Sequence, residues 1–232
     1  MAFAIPDGLA PEAYPLAWLL GTWRGPGFLA YPDIPERPFV QEATFGHDGG
    51  PYLTYSSTIW LLDEEAFAPP VDPDAGAAED DDSEPATTSE PATTSEPATT
   101  SEPASTEVRY TAGPVWAAES GYWRMAASPQ PLPSAGSDDA PAAGAEASGQ
   151  DVELLLAEPS GHVSVYLGTV TGPRIEIATD LIARTSTAVE IAAARRMYGL
   201  VGGELMWATD MAAFGHEMQP YASARLVRVT AG

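Results

Sequence analysis

Apolar and polar side chains alternate in short runs along most of this chain, and glycine- or proline-rich turns separate the runs. A period of two is what a strand with one buried face requires. Segments of this kind lie at about 20–30, 39–46, 52–61, 107–112, 115–126, 151–158, 162–170, 174–184, 188–198, 204–214 and 219–229. Phe39, Gln41, Ala43 and Phe45 fall on one face of the second. Ile175 and Ile177 alternate with Glu176 in a later one. Gly49-Gly50 and Gly202-Gly203 are hairpin signals. Tyr31–Pro38, with three prolines, reads as a broken loop. Leu16, Leu19 and Leu20 have helical spacing instead, which predicts a short helix near 11–20 capping one end. Roughly ten short strands and hardly any helix predict an all-β, closed antiparallel barrel able to hold one small ligand inside. A β-sandwich is the alternative.

Two stretches break the pattern. Residues 66–107 contain Thr-Thr-Ser-Glu-Pro-Ala repeated from Thr87 to Ala104, and 127–150 are rich in Pro, Ala, Gly and Ser. Neither has the apolar side chains to offset its ordering entropy, so both are expected to be disordered acidic loops. They read as overgrown hairpin connections within one domain spanning 1–232, not as boundaries between domains. They also carry much of the acidity. The formal charge is −23, with 33 acids against ten arginines and no lysine; outside residues 72–107 and 128–150 there remain 19 acids, about −9. That balance argues against nucleic acid, whose phosphates need basic neutralisation. No apolar run approaches the roughly 20 residues of a spanning helix, and the first residues lack a basic-then-apolar leader. The expectation is no nucleic acid, no membrane and a cytoplasmic location.

Chemistry is sparse. There is no cysteine, hence no disulfide, thiolate nucleophile or Cys-based metal site. The absence of lysine excludes Schiff-base chemistry. No GxSxG elbow occurs, and the Glu79–Asp82 acids lack EF-hand spacing. The informative stretch is Leu19–Gly27, where Gly21, Trp23, Gly25 and Gly27 form GxWxGxG. On a strand these four share one face. The glycines admit a close neighbour, either another backbone or a ligand, and the indole plugs an end.

This opening strand resembles that of the nitrobindin family, small haem-binding β-barrels related in form to lipocalins and fatty-acid-binding proteins. Pro15–Gly25, Glu119–Arg124, Ala183–Ala188 and Met211–Gly215 are similar to further segments of that family. The resemblance implies haem b, with nitric oxide chemistry and isomerisation of peroxynitrite to nitrate. It also implies an iron-ligating histidine on the final strand and a lysine near the haem. In this chain the histidine's place falls to Tyr221 and the lysine's to Val189.

Three histidines are available as substitutes. His47 and His162 stand beside turn glycines and read as solvated. His216 lies five positions before Tyr221, an odd offset that points to the opposite strand face. Tyr221 could itself ligate iron as a tyrosinate. The sequence therefore supports a non-enzymatic barrel for a small hydrophobic or haem-like molecule, ferric nitrobindin-like but without the standard ligand. The alternative is a ferric-haem peroxynitrite isomerase with iron on Tyr221 or a displaced His216. A third reading is an interaction protein acting through the acidic repeats.

Overall fold

The computed structural model describes residues 5–62, 112–126 and 149–229. In it the alternating runs become ten strands: β1 (Gly21–Tyr31), β2 (Ile34–Gly46), β3 (Leu53–Leu62), β4 (Ala112–Met125), β5 (Gln150–Glu158), β6 (His162–Thr171), β7 (Arg174–Arg184), β8 (Ile191–Val201), β9 (Glu204–Ala213) and β10 (Gln219–Arg228). Each strand pairs antiparallel with its neighbours in sequence. β1 closes on β10 through Trp23↔Arg228, Gly27↔Ala224 and Leu29↔Ala222. Closure removes every sheet edge, so the sandwich alternative is discarded. Among the described residues no helix is long and apolar enough to cross a membrane.

Several boundaries differ from the sequence expectation. Tyr31–Pro38 is not a loop: a turn at Pro32-Asp33 leads straight into β2, which carries Pro35 and Pro38. Pairing of β2 with β3 begins only at Phe39↔Leu61, so Pro38 lies where β2 is paired with β1 alone, and Pro35 falls in the irregularity between the Leu29↔Arg37 and Tyr31↔Ile34 pairs. A strand with one free edge tolerates the missing N–H. β4 is a single strand through Gly113-Pro114, and β8 starts at Ile191, not near 188. Most of the acidic stretches, and residues 107–111, lie outside the described residues.

One barrel end is packed shut. The lead-in is a 3₁₀ helix, Pro11–Leu19, with Ala13, Leu16, Trp18 and Leu19 buried. Trp23 is fully buried beneath it and donates its indole N–H to the Leu19 carbonyl at 2.6 Å. Arg228 stacks on the Trp23 ring, 4.1 Å from its centroid, and donates to the carbonyls of Trp18 and Leu20. The side chain thus ties the last strand to the helix while covering the indole. The glycines of GxWxGxG serve this closure. A methyl on Gly25 would press on the Arg225 carbonyl and Leu226 Cα, and one on Gly27 on the Phe39 ring and the Ser223 carbonyl. Gly21 holds φ at 112°, a left-handed value that disfavours any side chain.

The apolar core fills this half and ends at a polar layer. Glu119 and Arg196 form a two-pronged ion pair, 2.6 and 2.9 Å, with side chains only 15% and 11% exposed. Tyr55 donates to Glu119 at 3.1 Å, the Tyr198 hydroxyl accepts from Arg196 at 3.5 Å, and Arg196 lies over the Tyr166 ring. Burial alone would raise the Glu119 pKa, but the guanidinium and the Tyr55 hydroxyl outweigh it and hold the carboxyl below its ordinary value. Alongside, Trp207 donates to Gln41 at 2.6 Å, and Gln41 donates to Ser57 at 2.8 Å.

Two outcomes follow from this packing. Gly25→Ala forces a methyl against backbone that cannot turn aside, and should cost about 3 kcal/mol or prevent folding altogether, read from the urea midpoint. Arg196→Met strands a buried carboxylate and should lower stability by about 3–5 kcal/mol. Combining it with Glu119→Leu should restore most of that loss in the same unfolding assay.

Candidate functional site

Beyond the polar layer the barrel is hollow. A cavity of about 380 Å³ extends from that layer toward the end away from the 3₁₀ helix. Its floor is formed by Gln41, Tyr55, Glu119, Tyr166, Arg196, Tyr198 and Trp207. Its walls carry Leu29, Ile34, Ile59, Ile182, Ile191 and Met211. This is the size and mixture, mostly apolar with a few polar groups, of small-molecule sites.

The strands part to make room. β7 and β8 pair only over Arg174–Ala178. There the Thr179 hydroxyl bridges to the backbone of Ala194, accepting from its N–H at 3.0 Å and lying 3.3 Å from its carbonyl. Past this point the connection through Thr187, Ala188 and Val189 forms cavity wall in place of a ladder.

Two bulges shape the mouth. Ile59 faces Ala117 and Trp60 faces Val115, leaving Trp116 as the extra residue in β4. Pro220 faces Asp210 and Ala222 faces Thr209, leaving Tyr221 as the extra residue in β10. A bulge redirects the side chain that strand alternation would send elsewhere. Both side chains line the cavity and meet: the Trp116 indole N–H donates to the Tyr221 hydroxyl at 2.8 Å. The Tyr221 ring also stands edge-on to Tyr31 at 6.1 Å. Burial raises the Tyr221 pKa, and the Trp116 hydrogen bond only partly opposes this.

His162 departs from the solvated reading. It is 4% exposed and lines the cavity, because it opens β6 on the inward face with Ser164 and Tyr166. Its Nε2 donates to the Val189 carbonyl at 2.8 Å, and Nδ1 lies 3.0 Å from the Ser160 hydroxyl. That hydroxyl is also 3.1 Å from Glu158, the third charged residue on the lining. Ser160 has one proton, so it can donate to Glu158 or to Nδ1, not to both. Val189 lines the cavity, and its carbonyl anchors His162. His216 sits in the β9–β10 turn, 3.1 Å from Asp33 and edge-on to Tyr31, and is not on the lining. His47 follows β2 at the end of the hairpin, also away from the cavity. Gly21, Trp23, Gly25 and Gly27 are not on this lining; Gly25 and Gly27 lie against the backbone of β10, and Gly27 also borders a second pocket between β1, β8, β9 and β10. Among the described residues no group of three or more His, Asp or Glu side chains could hold a metal ion.

Sequence reasoning did not single out Glu119, Glu158 or Arg196 for the site. Their signal was present, since each shares the inward parity of its strand: Glu119 with Trp123, Glu158 with Leu154 and Leu156, Arg196 with Ala194 and Tyr198. A charged residue at a core parity is a buried charge in waiting.

A family model described as THAP4-like, heme-binding beta-barrel domain matches residues 12–228. A ferric nitrobindin-like protein from Beutenbergia cavernae is 55% identical, over 99% of this chain and 100% of that protein. A peroxynitrite isomerase from Leifsonia xyli subsp. xyli is 37% identical, over 97% of this chain and 98% of that protein. The crystal structure of Rv2717c from M. tuberculosis aligns with a TM-score of 0.60 at 27% identity, over 96% of this chain and 99% of that one. The likeness first carried by the GxWxGxG strand holds along the chain, which belongs to the nitrobindin family of THAP4-like, heme-binding β-barrel proteins.

Proposed function

We propose that this chain is a small-molecule-binding member of its family that has lost the standard histidine ligation of haem iron, and that it is not an enzyme. The observation that carries the reading is Tyr221. A phenol lines the cavity from the final strand, where the resemblance puts the family's histidine, and its hydroxyl is already engaged by the Trp116 indole. Ligation would require a phenolate, and burial works against that ionisation.

The other residues on the lining fit haem no better. The one imidazole there, His162, has both ring nitrogens engaged, by Val189 and Ser160. Among the described residues the one cation on the lining, Arg196, is paired with Glu119, leaving no unpaired basic side chain there for the two propionates. Val189 supplies no charge where the resemblance puts a lysine. The donor set therefore does not suit haem.

A second reading keeps haem, with iron on Tyr221 and peroxynitrite isomerase activity like that named for the Leifsonia relative. The presence of the phenol on the cavity wall favours it. A cytoplasmic location and the absence of nucleic-acid or membrane partners stand as part of the proposal; the expected acidic loops fall mostly outside the described residues.

Haemin titration separates the two readings. The wild-type chain should leave the free-haemin spectrum unchanged, whereas Tyr221→His should produce a defined Soret band. A wild-type Soret band that Tyr221→Phe abolishes would overturn the proposal in favour of tyrosinate ligation.

A further inference from the structure

We infer that the cavity selects a cationic ligand, an organic ammonium carried on an apolar or aromatic body, with Glu158 as its counter-ion. The inference rests on the cavity being a small-molecule site, as proposed above.

The charges on the lining decide its sign. Among the described residues they are Glu119, Glu158 and Arg196. Glu119 and Arg196 neutralise one another through two hydrogen bonds, and although the Arg196 Nε–H is left without a partner among the described residues, an anion there would also face the Glu119 carboxylate. Glu158 is left over. Its side chain is 21% exposed, and no arginine pairs with it among the described residues. Its protein donor is the Ser160 hydroxyl, which it shares with His162. With Nε2–H given to the Val189 carbonyl, His162 Nδ1 and Glu158 compete for the single Ser160 proton. Among the described residues Glu158 has no other side-chain hydrogen-bond donor within reach. A half-buried carboxylate with only a shared hydroxyl for a donor is under-satisfied, and a ligand ammonium is the group that best repairs it.

The rest of the lining suits the rest of such a ligand. Trp116 and Tyr221 at the mouth, and Tyr166 and Trp207 at the floor, present aromatic rings to the same space. Aromatic faces attract cations and resist anions. The apolar side chains of the wall would hold a hydrocarbon or aryl body. A carboxylate ligand meets the opposite conditions: an unpaired anion, aromatic faces and a committed arginine.

Protonation should oppose binding. Glu158 has a raised pKa, first from burial and next from the Glu119 charge, with Arg196, Ser160 and His162 pulling it back. Its carboxylate form is therefore lost at a higher pH than that of an ordinary glutamate as pH falls. Loss of that charge weakens an ammonium and leaves a neutral ligand unaffected.

The test uses three near-isosteric probes: 2-(1-naphthyl)ethylammonium, 2-(1-naphthyl)ethanol and 3-(1-naphthyl)propionate. Titrated by calorimetry into the full chain at pH 7.5, the ammonium should bind about tenfold tighter than the alcohol, the scale of one charge-assisted hydrogen bond. The propionate should bind weakest. Glu158→Gln should bring the ammonium down to the alcohol's affinity. In the wild-type protein the ammonium should weaken as pH is lowered from 7.5 to 5 while the alcohol stays level, a readout that needs no variant to fold. Alcohol or propionate binding as tightly as the ammonium overturns the cation inference and leaves the small-molecule site standing. No binding by any of the three overturns both.

Discussion

The buried pair between Glu119 and Arg196 is the constraint on which the interior depends. It joins β4 to β8 across the barrel, and neither charge could stay there alone. Above the pair, Trp123, Leu154 and Leu156 pack an unbroken apolar core. Below it the barrel opens into a cavity. A purely apolar layer at this level would be free to collapse further along the barrel. A charged layer with Tyr55, Tyr166 and Tyr198 committed to it has a fixed height. The ion pair therefore sets the depth of the pocket as well as part of its stability.

The two barrel ends solve different problems with the same residue types. At the closed end an indole is sealed under a helix, with Arg228 laid over it and its N–H given to a local carbonyl. At the open end another indole, Trp116, is swung inward by a bulge and gives its N–H to a phenol across the mouth. The first arrangement is covered on every side. The second is partly exposed, and its hydrogen bond is one a ligand could exchange for its own.

The family relationship and the site chemistry point in different directions. Membership rests on the barrel and its motifs, which extend over residues 12–228. Ligand choice rests on a few side chains: Tyr221, Val189, His162, Glu158 and the committed Arg196. Fold does not carry function with it, and a barrel can keep its walls while its ligand changes. The relatives named as peroxynitrite isomerases show that the same scaffold is associated with catalysis elsewhere. On the reading proposed above, the lining favours neutral or positive cargo over a dianionic macrocycle.

The strand pattern by itself determined the all-β class, the barrel, the position of the short helix and most hairpins, because a period of two and paired turn glycines are local properties. The resemblance to the nitrobindin family, not the strand pattern, singled out Tyr221, through its place after Met211–Gly215. What the pattern could not supply was direction at irregular positions. Trp116 and Tyr221 face the cavity because each is the extra residue of a bulge, and a bulge depends on the partner strand. Pro38 sits in a strand because of which edge is free, and Pro35 because the pairing with β1 is irregular there, again a matter of neighbours. His162 is buried because Val189, from a distant connection, offers a carbonyl to it. Glu119 meets Arg196 across 77 positions of sequence. Local alternation places a side chain on a face; only the closed barrel decides what stands opposite it, and that opposition is where charge, burial and binding are settled.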